Sequence, residues 1–147
     1  MAHAGMWTTP LDLMALAAAV NAGAAPQLLT GHPAEPRMGL GLFLNSGAGI
    51  TRWSHTGSVA GFECVLAGTA GTGFAVAAMT NSAGGFAMAR DAASLVSRLH
   101  GPGPLRLGTV PREGIGAAIR MNSHHLVVAG VRARDRQVSV LMRFIST

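Results

Sequence analysis

The sequence contains no lysine and no tyrosine, and all eleven of its basic residues are arginine. Chemistry that needs a lysine amine or a tyrosine phenol is therefore excluded for this chain on its own. The single cysteine, Cys64, cannot form an internal disulfide, and its apolar neighbours favour a small buried side chain over a nucleophile. Charged residues make up 12% of the chain and hydrophobic residues 49%, which favours a folded domain over disorder.

Targeting and membrane signals are also missing. No basic segment followed by an apolar run is visible at the start, so no signal peptide is predicted. The most apolar early segment is interrupted by Asn21 and Pro26 and is rich in alanine, which predicts a soluble helix and no membrane span. We therefore expect the chain as encoded to be cytoplasmic.

Positive charge is concentrated in the last third of the chain. Residues 1–100 carry four arginines and four acidic residues, whereas residues 101–147 carry seven arginines and two acidic residues, which accounts for the net charge of +5. The "GPGP" segment at 101–104 is a natural boundary. The sequence thus predicts a body over 1–103 and a basic tail over 104–147, with a possible β-hairpin around "RARDR" that would have to dock on the body or stay mobile.

Local patterns predict helices flanking a sheet. Thr9, Pro10 and Asp12 have the spacing of a capping box with proline in the first turn, so a helix should run from Pro10 to about residue 21. Three strands are expected at 37–45, at 50–68 with an interruption at "HTGSVAG", and at 74–81. A second helix over 84–101 should face the sheet through four apolar residues, namely Met88, Ala92, Leu95 and Leu99. This order predicts an α+β fold, an antiparallel sheet with flanking helices.

The segment "SHTGS" is the strongest functional signal. It places an imidazole, two hydroxyls and a glycine, at His55, Thr56, Ser58 and Gly57, inside an otherwise apolar strand. A strand that lines a binding cleft has a use for these groups, whereas a strand that only builds a core does not. The alternative is structural: His55 would be a solvated loop residue, while Thr56 and Ser58 would be ordinary turn residues.

Several segments together resemble the C-terminal part of the serine β-lactamase and penicillin-binding-protein superfamily, in particular its class C-like, D-aminopeptidase and esterase branch. These segments are "GMWTTPLDL", "MGLGLFL", "SHTGSVAGF" and "AVAAMTNS", followed by the second helix, and they occur in the family's order over residues 4–100. "SHTGSVAGF" resembles the family's third motif, which is Lys-Thr-Gly or a variant such as His-x-Gly. The resemblance implies a partial β-lactamase/transpeptidase-like fold.

The resemblance also implies roles for four residues. His55 would supply a cation or proton donor, and Thr56 would offer its hydroxyl to a substrate carboxylate. Gly57 would leave room for a ligand or a neighbouring helix, and the backbone N–H of Ser58 would be one of two oxyanion-hole donors. His55 and Ser58 are thus the candidate catalytic residues, and Thr56 and Gly57 the candidate substrate-binding residues.

The family's other two motifs are missing. Ser-x-x-Lys and Tyr-x-Asn cannot occur without lysine and tyrosine, and "TNSAG" and "MNSHH" follow the third motif instead of preceding it. The chain therefore resembles the back half of a serine hydrolase that acts on an amide, ester or β-lactam. We expect it to be inactive alone, to lack an N-terminal half that would complete its sheet and cleft, and to self-associate. The parent family is often exported, and its partner would be a small-molecule or peptide substrate.

Other function classes have weaker support. A non-catalytic binding or interaction module that uses the half-cleft is the main alternative, and a nucleic-acid binder that uses the arginine-rich tail is the next. The tail lacks interleaved aromatic residues, so we expect no specific nucleic-acid binding. Adjacent residues on a strand point to opposite faces, so His124 and His125 do not form a metal site by themselves. No metal or other cofactor is expected. Trp7 and Trp53 are expected in the core or at the cleft rim.

Overall fold

The computed structural model describes residues 7–59, 61–82, 84–100, 126–134, 137–138 and 143–145. Over these residues the chain has the α+β architecture that the sequence predicts, with an antiparallel sheet and two flanking helices. The helices are α1 (Pro10–Asn21), α2 (Phe86–His100) and a short 3₁₀ turn (Pro26–Leu29). The strands are β1 (Phe43–Gly47), β2 (Ile50–Val59), β3 (Phe62–Thr69), β4 (Phe74–Thr80), β5 (Leu126–Arg134), β6 (Gln137–Val138) and β7 (Arg143–Ile145).

The capping box at the start of α1 is present. The Thr9 hydroxyl accepts a hydrogen bond from the Asp12 amide at 3.2 Å, and the Thr9 amide donates to Asp12 Oδ2 at 3.0 Å. Pro10 occupies the first turn, where its missing N–H has no helical partner in any case. These interactions satisfy donors that a helix start leaves unpaired, and they begin α1 at the predicted residue.

Neighbouring strands of the sheet are antiparallel and follow the order β1-β2-β3-β4-β5. The first four strands form successive hairpins, and β4 pairs along its whole length with β5, from Phe74 opposite Arg132 to Thr80 opposite Leu126. The shorter strands β6 and β7 both pair with β5. The C-terminal part of the chain therefore contributes a strand to the sheet and occupies the edge of β4.

The number of strands before α2 differs from the prediction. The segment 50–68, predicted as one interrupted strand, forms the two strands β2 and β3, so four strands precede α2 instead of three. Gly61 has a φ of 82°, a left-handed conformation that glycine adopts without strain, and it allows the tight reversal between them. The "HTGS" segment thus continues β2 and does not interrupt it.

The two helices cover opposite faces of the sheet. We call the face under α1 the α1 face and the face under α2 the α2 face. Among the residues whose burial is described, ten form the core of the α1 face: Leu13, Met14, Ala17, Val20, Leu42, Leu44, Trp53, Leu66, Ala75 and Ala77. Seven of the described residues form the core of the α2 face: Val65, Ala67, Phe74, Val76, Ala78, Ala89 and Ala93.

The face of α2 that meets the sheet is rotated from the predicted one. Ala89, Ala93 and Ser97 are fully buried, whereas Leu95 is 50% exposed. Ala92 and Met88 are only partly buried and pack beside the core. The small side chains of Ala89, Ala93 and Ser97 let the helix approach the sheet closely, so these residues lie at the centre of the helix–sheet contact.

Trp53 connects α1 to the sheet. Its side chain is 1% exposed, and its indole N–H donates to Asn21 Oδ1 at 2.8 Å. Asn21 Nδ2 in turn donates to the Phe74 carbonyl at 2.9 Å. The end of α1 is therefore fixed to β2 and β4 by buried hydrogen bonds. Trp7, by contrast, is 92% exposed, so the expectation of a core or cleft-rim position holds for Trp53 alone.

Candidate functional site

The candidate site lies where β2 extends beyond β1. The pairing of these two strands ends at Phe43 opposite Ser54. The chain reverses just before β1, since the Gly39 amide donates to the Leu42 carbonyl at 2.8 Å and Met38 pairs back with Phe43. Residues 55–59 of β2 therefore pair with β3 on one side and with no described strand on the other. We call this segment the open edge.

The strand register determines which amides face the open edge. The Ala70 amide, which follows β3, donates to the Thr51 carbonyl at 2.9 Å, so the residues of β2 that bond toward β3 are the odd-numbered ones. The even-numbered residues bond in the opposite direction, as Ser54 does with Phe43. The N–H and C=O groups of Thr56 and Ser58 consequently point away from β3, into the open edge.

The predicted side chains lie on both faces of the strand. His55 and Gly57 share the α1 face with Trp53, and Thr56 and Ser58 lie on the α2 face. His55 and Ser58 are exposed, and Thr56 is partly buried. The site is therefore an edge with amides at its centre, and the His55 ring and the two hydroxyls flank those amides from opposite faces.

Phe43 is a residue that sequence reasoning missed. Its ring stacks on the His55 imidazole with the ring centroids 6.4 Å apart and an interplanar angle of 24°. Both side chains are exposed, so the stack limits the directions available to the imidazole without burying it. No sequence pattern indicated this contact, because it depends on β1 beginning at Phe43, beside the start of the open edge.

Gly57 packs against the neighbouring strand. Cys64 is the residue opposite Gly57 on β3, and a Cβ at position 57 would lie 3.0 Å from its Sγ. The absence of a side chain at Gly57 therefore makes room for the Cys64 thiol. The predicted role of Gly57, to leave room for a ligand, is a separate one. Burial raises the pKa of the Cys64 thiol, and a hydrogen bond with the Gly57 backbone opposes that shift. A raised pKa reduces the thiolate fraction, which does not suit a nucleophile.

A polar cluster next to the site was also not predicted. Glu63 lies opposite Ser58, and its Oε1 accepts a hydrogen bond from the Gly84 amide at 3.0 Å in the turn before α2. Its other oxygen, Oε2, and the hydroxyl of Thr80 opposite it are buried with no partner among the described residues. The signal for this cluster was the single acidic residue in the apolar sequence of β3.

The described residues contain no group of three or more histidine, cysteine, aspartate or glutamate side chains that could hold a metal ion. No helix in the same part of the chain has the length and apolar character needed to span a membrane. His124 and His125 lie outside the described residues. Comparison of the chain with protein-family models, with curated proteins and with solved structures gave no match.

Proposed function

We propose that the chain is a fragment of a β-lactamase-like serine hydrolase that carries the substrate-binding third motif but no nucleophile. The observation that supports this proposal is the open edge. The Thr56 and Ser58 amides point out of the sheet at the segment whose sequence resembles the family's third motif. An edge of this kind can hold the backbone or carbonyl groups of a substrate by hydrogen bonds.

The resemblance implies the roles in the parent enzyme, and the outward amides of the edge are compatible with them. The Ser58 N–H would donate to the carbonyl oxygen of an amide, ester or β-lactam as negative charge develops on it during acyl transfer to a serine. The Thr56 hydroxyl would donate to a substrate carboxylate. The His55 imidazole, held beside Phe43, would donate a proton or hydrogen bond from the α1 face. The acyl-serine would then be hydrolysed by water, but the serine belongs to the N-terminal half that the proposal requires.

The first test is catalytic. The chain should not hydrolyse a chromogenic cephalosporin or a nitrophenyl ester above the rate of buffer, because no serine–lysine pair is present to assist the oxyanion hole. Turnover of about 1 s⁻¹, which is at the low end of enzyme rates, would overturn the proposal.

The second test is binding. An intact penicillin should shift the amide resonances of Thr56 and Ser58 in a titration followed by NMR. Ser58→Ala retains the amide and should bind as the wild type does, whereas Ser58→Pro removes the donor and should weaken binding. Equal binding by both variants, or shifts confined to other strands, would remove the support for this site.

A non-catalytic binding module is the second candidate, and the same observation favours it. The open edge is complete without any nucleophile, so it can bind an extended ligand as it stands. Binding of an extended peptide without binding of any β-lactam would favour this function over the hydrolase fragment.

A further inference from the structure

We infer that the open edge is a self-complementary interface at which two copies of the chain pair through residues 55–59 to form a sheet that continues across a twofold axis. The pairing uses backbone groups of β2, so it does not rest on the proposed hydrolase origin. It assigns a partner, a second copy of this chain, to an edge that no strand among the described residues covers.

The positions of the free amides fit a twofold axis. Thr56 and Ser58 both face outward and lie one residue to either side of Gly57. An antiparallel copy centred on Gly57 places Thr56 opposite Ser58 of the second copy, and Ser58 opposite its Thr56. Both are hydrogen-bonded pairs, so this register satisfies every outward amide and carbonyl of the two residues on each copy.

The facing side chains are compatible in the same register. On the α2 face, Thr56 meets a serine, a cross-strand pair that can exchange a hydroxyl hydrogen bond. On the α1 face, His55 meets Val59 of the copy, so the two imidazoles are not opposite each other. On the axis itself, the two Gly57 residues face each other with no side chains between them.

The sequence of the open edge lacks the charged residues and the proline that often protect a sheet edge. Residues 54–59 contain no lysine, arginine, aspartate, glutamate or proline. Val59 is 54% exposed and Phe62 is 55% exposed at the adjoining turn, so apolar surface borders the free amides. The far edge of β1 is partly occupied, since its Leu44 amide donates to the Arg37 carbonyl at 2.7 Å.

A matched pair of proline variants tests the contact in the full chain. Ser58→Pro removes an outward amide and leaves the bonds to β3 intact, and Ser46→Pro makes the same change on the outer side of β1. Sedimentation equilibrium should give twice the 15.0 kDa chain mass for the wild type and for Ser46→Pro, and the mass of one chain for Ser58→Pro. Circular dichroism confirms that each variant keeps its sheet.

A cross-linking measurement covers the case in which Ser58→Pro fails to fold. In a Cys64→Ala background, Gly57→Cys places one thiol on each side of the axis, in a non-hydrogen-bonded pair whose Cα atoms are about 4.5 Å apart. That separation permits a disulfide, so mild oxidation should give a covalent dimer. Ser46→Cys in the same background should not give one under those conditions.

Three results would overturn the inference. The first is a wild-type monomer at about 1 mM, the weak end of the affinity scale. The second is a dimer that Ser46→Pro removes as effectively as Ser58→Pro does. The third is a dimer in which the Gly57→Cys variant does not cross-link, because the axis would then lie elsewhere.

Discussion

Gly68→Ala is the change for which the structure makes the sharpest stability prediction. Gly68 lies opposite Trp53, and a Cβ at this position would lie 2.5 Å from Cζ2 and 2.7 Å from Cε2 of the indole. The indole is buried and is held by its hydrogen bond to Asn21. Overpacking of a core costs about 1–3 kcal/mol. Loss of the hydrogen bond adds about 1 kcal/mol, and replacing a strand glycine by alanine returns about 0.5–1 kcal/mol.

The expected net loss is therefore about 2 kcal/mol of unfolding free energy, the sum of these three contributions. Urea unfolding followed by tryptophan fluorescence measures it, in a Trp7→Phe background that leaves Trp53 as the sole reporter. Gly57→Ala is the matched control on the same face, because its new Cβ meets a single thiol at 3.0 Å that can rotate away. A smaller loss is expected there. Equal losses in the two variants, or an unchanged midpoint for Gly68→Ala, would refute the packing argument.

Two further predictions follow from ionisable groups. The pKa of Asp12 is lowered from 3.8, first by the hydrogen bond from the Thr9 side chain and then by the one from the Thr9 amide. The stabilisation by Asp12 should therefore be fully present above the pKa of the unfolded state and be lost as the pH falls through the lower pKa of the folded state. The difference in unfolding free energy between the wild type and Asp12→Asn, measured by urea unfolding at several pH values, should shrink in acid. A difference that stays constant with pH would contradict this. Burial raises the pKa of Cys64, so iodoacetamide should alkylate the native thiol more slowly than the thiol in urea at mildly alkaline pH; equal rates would contradict the burial.

Elements that depend on local chemistry were predictable from the sequence. The start of α1 was predictable because Thr9, Pro10 and Asp12 act within one helical turn. The α+β class followed from the order of the elements. The presence of α2 followed from its apolar periodicity, but its orientation did not. That periodicity ranks residues by hydrophobicity, whereas close packing on a sheet selected Ala89 and Ala93 over the larger Leu95.

Features that depend on strand pairing were not predictable. Gly57 and Gly61 both indicate a break in a strand, but Gly57 lies within β2 opposite Cys64, and Gly61 forms the turn. Sequence alone does not distinguish these two uses of glycine. The four consecutive site residues were identified as a group, yet their division between two faces depends on their forming a continuous strand, and the position of Phe43 beside His55 depends on where β1 begins.

The position of β5 constrains how any N-terminal half could complete this chain. A sheet accepts a new strand at an edge, and the edge of β4 is already paired with β5 over seven residues, from Phe74 to Thr80. A completing segment that joined the sheet at β4 would therefore have to displace β5, whereas one that joined it beside the end of β2 would pair with the five residues of the open edge. Pairing at the open edge would use the Thr56 and Ser58 amides, which bind substrate in the proposed parent and pair with a second copy in the proposed dimer. A completing segment, a substrate and a second copy should therefore compete for these amides. A penicillin that binds at Thr56 and Ser58 should shift the equilibrium from dimer toward monomer. A dimer whose mass is unchanged by a bound penicillin would show that at least one of the two sites is not the open edge.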